Sequence, residues 1–198
     1  MQLAQHLLAI SRRDEKFHIL TFFHFMHEVN RTPDHFTRKV TGMDEPRWLT
    51  LPEKEAWTGL VSLMLLLPNK LESPLREVDL TLFEYLVLSH ISEAPDRRIR
   101  MSDLAFLASG SLSRLSNVVK RFEARGWATR SPDPEDGRYT LASLTDTGYA
   151  LVAEAAPIHV RAVRELVLDP LTATDLAALT RIAAKLRVVP PGLETKPG

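Results

Sequence analysis

Beyond residue 50, apolar residues recur at helical spacing through most of the chain. Trp57, Leu60, Val61, Met64 and Leu65 form a stripe on a helix starting near Leu51, with Glu53 and Glu55 in the first turn, where the helix dipole favours acids. Pro68 lacks a backbone donor and predicts a kink or break near Leu67. Asp79 or Thr81 caps a second helix through Phe83, Leu86, Val87 and His90, which ends before Pro95. Ser102 caps a short third helix over 103–108, closed by Gly110. A fourth runs from Ser111 or Leu112 to Arg125 and stops at Gly126; Leu112, Leu115, Val119 and Phe122 give it one buried stripe. The texture then changes. Residues 127–130 are extended in character, Ser131-Pro-Asp-Pro-Glu-Asp-Gly-Arg138 is rich in turn formers with a hairpin-favouring Asp136-Gly137 step, and 139–144 alternate. This predicts one small hairpin rather than a sheet-based domain. Thr145 caps a fifth helix reaching about Leu168, with Leu151, Val152, Ala155, Ala156, Val163 and Leu166 inward. Thr172 and Asp175 form a capping box for a sixth, through Leu176, Leu179, Ile182, Ala183 and Leu186. Pro190-Pro191 ends the order and leaves 190–198 as a disordered tail.

Residues 1–42 differ in texture. They hold five of the seven His and five of the eight Phe, without a clean period. Two readings stand side by side: a helical extension that packs on the body, or sequence upstream of a natural start at Met43.

Composition adds exclusions. With 198 residues the chain is one domain with an appendage, or two small ones. No apolar run approaches the ~20 residues of a membrane helix, and no export signal precedes the body, so the expected location is cytoplasmic. The absence of cysteine removes disulfides, thiolate metal sites and thiol chemistry. The net charge of zero is more informative by segment: residues 44–96 carry −6 and residues 97–138 carry +4. A basic block of this kind is matched to an anionic partner.

That block contains two helices joined by a tight glycine-containing turn, followed by a hairpin: a winged helix-turn-helix. On the fourth helix, the face opposite the apolar stripe presents Ser113, Arg114, Asn117, Lys120 and Arg121, with Ser111 and Ser116 at its margins and no acid before Glu123. A merely solvated face is usually salted with Glu. Hydroxyls near the helix N-terminus can join backbone N–H groups on a phosphate. Arginine can read guanine, and asparagine adenine, in the major groove. In the hairpin, Arg138 suits a narrow minor groove and Asp136 would orient its guanidinium, while Arg130 and Lys120 suit backbone phosphates.

Several stretches then carry a resemblance: Ala56-Trp57, Leu82-Phe-Glu-Tyr-Leu86, Arg100-Met-Ser-Asp-Leu-Ala105, Ser113-Arg-Leu-Ser116, Phe122-Glu-Ala-Arg-Gly126, the Arg130–Arg138 run and Leu144-Thr-Asp-Thr-Gly148. Together they make the chain resemble the MarR family of bacterial transcriptional regulators over about two-thirds of its length. The resemblance implies a winged helix-turn-helix over 79–144, flanked by dimerisation helices at 43–78 and 145–189. It implies a homodimeric repressor on a pseudo-palindromic double-stranded operator, released by a small, often aromatic or anionic effector. It also places an effector pocket between the dimer helices and the DNA-binding lobe, where Trp57, Tyr85, His90 and His159 are candidate lining residues. Thiol-based peroxide sensing, known in the family, needs a cysteine that this chain lacks.

Other chemistries find little support. The His24/His27 pair has no further ligands beside it, and no triad, phosphate loop or carboxylate pair is present, so neither a metal cofactor nor catalysis is expected. The competing reading is a winged-helix protein–protein interaction module whose basic face docks on a protein.

Overall fold

The computed structural model describes residues 47–186; the expectations for 1–42, Met43 and the C-terminal tail lie outside them. The described residues fall into two compact units, divided between Leu66 and Leu67. Among the described residues the fold is mostly helical with a small three-stranded antiparallel sheet.

Helix α1 (Leu51–Leu75) begins where the Glu53 carboxylate accepts hydrogen bonds from both the backbone N–H and the hydroxyl of Thr50. It does not break at Pro68, but continues through both Pro68 and Pro74. Its last turn is held from outside: Leu75 is fully buried, and Glu72 accepts from the N–H of Leu82 at 3.1 Å. Those tertiary contacts offset the backbone bonds that proline removes.

Helix α2 (Leu82–Glu93) is capped by Thr81, which forms a full capping box with Glu84. Strand β1 (Arg98–Arg100) follows a tight turn in which Asp96 and Arg97 both take left-handed backbone angles. This strand was not expected; three residues with a single apolar side chain give no periodic signal. Helix α3 (Met101–Leu107) starts two residues earlier than the predicted 103, so Ser102 lies inside it and does not cap it.

The end of α3 also corrects an expectation. The left-handed position is Ser109, at φ +50°, while Gly110 donates its N–H back to Ala105 at 3.0 Å. This is a Schellman closure with serine in the slot that usually holds glycine. Gly110 serves a different purpose, because a Cβ there would lie 2.9 Å from Cζ of Phe83.

Helix α4 (Leu112–Ala124) ends in a second Schellman closure. Gly126 sits at φ +72°, and the Trp127 N–H bonds to the Phe122 carbonyl at 2.9 Å. Strands β2 (Ala128–Pro132) and β3 (Thr140–Leu144) pair antiparallel, with Ala128 opposite Leu144, and β1 pairs with the other edge of β3. The connection is a seven-residue loop, 133–139, not a two-residue turn at Asp136-Gly137, and Gly137 does not take a left-handed angle. Helix α5 (Asp146–Val163) is capped by Thr145 and runs into a π turn (Arg164–Leu168). Helix α6 (Ala173–Leu186) starts with the expected Thr172–Asp175 box.

The core of the second unit joins Leu75, Leu80, Val87, Leu88, Ile91, Leu104, Leu115, Val119 and Phe122 to Ala142, Leu144 and Val152. It therefore fixes α4 and the sheet to one body. No helix among the described residues is long and apolar enough to cross a membrane.

Candidate nucleic-acid interface

Ser111 starts α4 by accepting from the N–H of Arg114 at 3.2 Å. The buried face is Leu115, Val118, Val119 and Phe122. Leu112, assigned to that face from its spacing, is instead 55% exposed, and Val118 takes its place. At 100° per residue this buried arc puts Ser113, Asn117 and Lys120 on the outermost ridge. Arg114 and Arg121 fall on one flank, and Leu112, Ser116 and Glu123 on the other.

Each flank is fastened to a different neighbour. On the first, the Arg114 guanidinium lies 3.9 Å from the centroid of the Phe83 ring, and Arg121 donates to Glu84 at 2.8 Å. Burial pushes the Glu84 carboxyl up, but the bonds from Arg121 and Thr81 outweigh it and hold the group below the usual carboxylate range. An open cleft of about 360 Å³ lies along this flank, lined by Glu72, Thr81, Phe83, Arg114, Asn117, Val118 and Arg121. On the other flank Arg130 of β2 donates to Glu123 at 2.6 Å and to the Ser116 hydroxyl at 3.4 Å. These Arg130 bonds hold the Glu123 carboxyl low. Thus two of the cations assigned from the sequence to DNA contact, Arg121 and Arg130, are each engaged with a carboxylate.

In the loop, Arg138 donates through Nε to Asp136 at 2.8 Å and through Nη2 at 2.6 Å. That contact holds Asp136 below its ordinary value. Sequence reasoning missed the anchor of the loop, Asp133, the only buried charged residue among the described ones. Its carboxylate accepts from the Glu135 N–H at 2.9 Å and from Arg100 Nε at 2.8 Å, and Arg100 also lies over the Tyr139 ring at 4.4 Å. The bond from Glu135, against burial and with help from Arg100, holds the Asp133 carboxyl low. No local pattern joins Arg100 to a residue 33 positions away.

Of the four pocket candidates the fold brings two together. The rings of Tyr85 and His159 lie 4.5 Å apart, and His159 Nδ1 is buried with no hydrogen-bond partner. Burial lowers the His159 pKa and raises that of Tyr85. His90 is half-buried farther along α2, and Trp57 is exposed in the first unit. None of the four lines the cleft beside α4.

Comparison with known proteins places this geometry. A sequence profile described as the MarR family matches residues 78–138. Sco3205, a MarR family transcriptional regulator from Streptomyces coelicolor solved in complex with DNA, matches at a TM-score of 0.68 and 39% identity, covering 73% of this chain and 91% of that one. SarZ, an HTH-type transcriptional regulator of Staphylococcus aureus (strain USA300), is 31% identical over 109 residues, 54% of this chain and 72% of that protein. The uncharacterized HTH-type regulator YdcH of Bacillus subtilis (strain 168) is 32% identical over 92 residues, 46% of this chain. The match spans 63% of YdcH, under two thirds of its length. The chain belongs to the MarR family of transcriptional regulators.

Proposed function

We propose that the protein is a repressor that binds a pseudo-palindromic operator as a homodimer and is released by a small phenolic or anionic effector. One observation carries the DNA contact: the outer ridge of α4 presents Ser113, Asn117 and Lys120 to solvent, and the helix has no acid ahead of Glu123, which is turned to Arg130. In this reading Asn117 and Arg114 meet base edges, Ser111, Ser113, Ser116, Lys120, Arg121 and Arg130 meet phosphates, and Arg138 enters the minor groove. A twofold pair sets two α4 helices about one DNA turn apart. The Tyr85–His159 contact, with its orphaned Nδ1, supplies the polar-aromatic environment for the effector, which must favour a helix spacing unsuited to DNA.

Fluorescence anisotropy with a duplex from the protein's own upstream region tests the reading. A dimer making ~6–10 phosphate contacts loses ~10³–10⁵ in affinity between 50 and 200 mM salt. The double variant Arg114→Ala/Asn117→Ala removes the preference for that duplex over random DNA. A salt-independent affinity, or an unchanged preference, defeats the proposal. Repression itself is read from a promoter fusion, whose output rises when the protein is removed.

A further inference from the structure

Five arginines occupy or flank α4 and the wing, and four of them face a carboxylate. Arg121 meets Glu84, Arg125 meets Asp79 at 3.0 Å, Arg130 meets Glu123, and Arg138 meets Asp136. Arg114 is the exception. Among the described residues it makes no ion pair, and its guanidinium stacks on Phe83.

The difference in partner is a difference in chemistry. A carboxylate occupies the N–H edge of a guanidinium, whereas an aromatic ring occupies its face and leaves the in-plane donors unused. Stacking also restricts the rotamers of a long side chain. Arg114 is therefore both oriented and unsatisfied. It lies in the first turn of α4, the part of a recognition helix that contacts base edges. The acceptor pattern that fits a planar pair of donors in the major groove is O6 and N7 of guanine.

Phe83 is itself held. It lies inside the Thr81–Glu84 capping box at the start of α2, and its ring presses on the turn at Gly110, where a Cβ would come within 2.9 Å. The lack of a side chain at Gly110 lets the ring occupy that place. On the open side is the cleft beside α4, which also contains Glu72. An Arg114 released from the ring has room to turn and an acid in the same cleft.

We propose that Phe83 is a positioning residue for operator specificity: by stacking on Arg114 it fixes the guanidinium to read one guanine in each half-site. The inference depends on the operator-binding reading above, and its test separates the two.

Full-length protein is used to select duplexes from a randomised library, and the enriched sequence is then measured with single-base changes. Wild type is expected to prefer one guanine per half-site by about tenfold or more. Phe83→Leu keeps the bulk but not the aromatic face. It should reduce that preference to within about twofold while leaving the other positions and the salt slope unchanged. Arg114→Ala, at an exposed position, should lose the same guanine preference, and adding Phe83→Leu to it should change nothing more. If wild type enriches no sequence, the operator reading fails and this inference with it. If the guanine preference survives Phe83→Leu, or if that variant weakens every position alike, the positioning role alone is overturned.

Discussion

His159 is a histidine on a helix in the sequence and, in the fold, a half-buried ring with one buried nitrogen. Its Nδ1 has no partner, its ring meets Tyr85, and burial depresses its pKa from the ordinary 6.5. The folded state therefore takes up this proton less readily than the unfolded chain. The corresponding stability is present above pH 6.5 and is lost as pH falls from there through the lower folded value. The thermal midpoint should fall on acidification from about pH 7 to 5, and less so for His159→Phe. Identical slopes for the two proteins would refute this account. The position of His159 on a helix was legible from periodicity; its partner, 74 residues away, was not. Asp133 makes the same point. As part of a Pro-Asp-Pro-Glu run it reads as a turn residue, and only the fold gives it Arg100.

At the scale of elements, the joints matter more than the rods. Thr145 follows β3 and caps α5, accepting from the Gly148 N–H at 3.0 Å while its one hydroxyl proton is shared between the Gly126 and Trp127 carbonyls. Gly148 packs so closely on the other side that a Cβ would lie 2.1 Å from the Trp127 carbonyl oxygen. The Leu144-Thr-Asp-Thr-Gly148 run is thus a fastening between the end of α4, the start of β2 and the start of α5. Gly148→Ala must push α5 off the sheet and should cost about 1–3 kcal/mol, the usual range for overpacking. Chemical denaturation measures this, and a variant as stable as wild type would show that the contact yields freely. Caps at Thr145 and Thr172, and Thr81 as one of two candidates, were legible because capping is a local exchange between a side chain and the next turn. Strand β1 was not, since its pairing with β3 spans more than 40 residues. The break at Pro68 failed for a related reason: the lost hydrogen bond is local, whereas the contacts of Leu75 and Glu72 that offset it are not.

At the scale of the whole molecule, neutrality conceals division. The −6 of residues 44–96 and the +4 of residues 97–138 come from adjoining parts of the chain, so only a correctly presented face attracts DNA. Apolar surface is divided as well. On α1, Leu63, Met64 and Leu65 are more than half exposed, and on α6 Leu179, Ile182 and Leu186 are 46–54% exposed. Such faces are what a partner copy would cover in the proposed dimer. The native mass should then be twice 22.3 kDa in sedimentation equilibrium. Leu179→Glu/Ile182→Glu should yield monomers and lose ~10²–10⁴ in operator affinity, as bivalency is removed. Monomeric wild type would overturn the dimer.

By itself the sequence determined where the helices lie, the caps at Thr145 and Thr172, the extended run of the wing and the basic face of α4. All of these arise from interactions within a few residues: periodicity, capping and turn chemistry. It also carried the family resemblance, through motifs whose physical purpose becomes plain at Gly148 and in the Arg130–Arg138 run. Only the tertiary structure decided which cations are engaged and which are open. Arg121 and Arg130 look like Arg114 in the sequence, but whether a guanidinium keeps its donors depends on whether the fold sets a carboxylate or an aromatic ring beside it. That choice was made at Glu84, Glu123 and Phe83. Phe83 and Glu84 are 31 and 37 residues from the arginines they hold, beyond the reach of any local pattern.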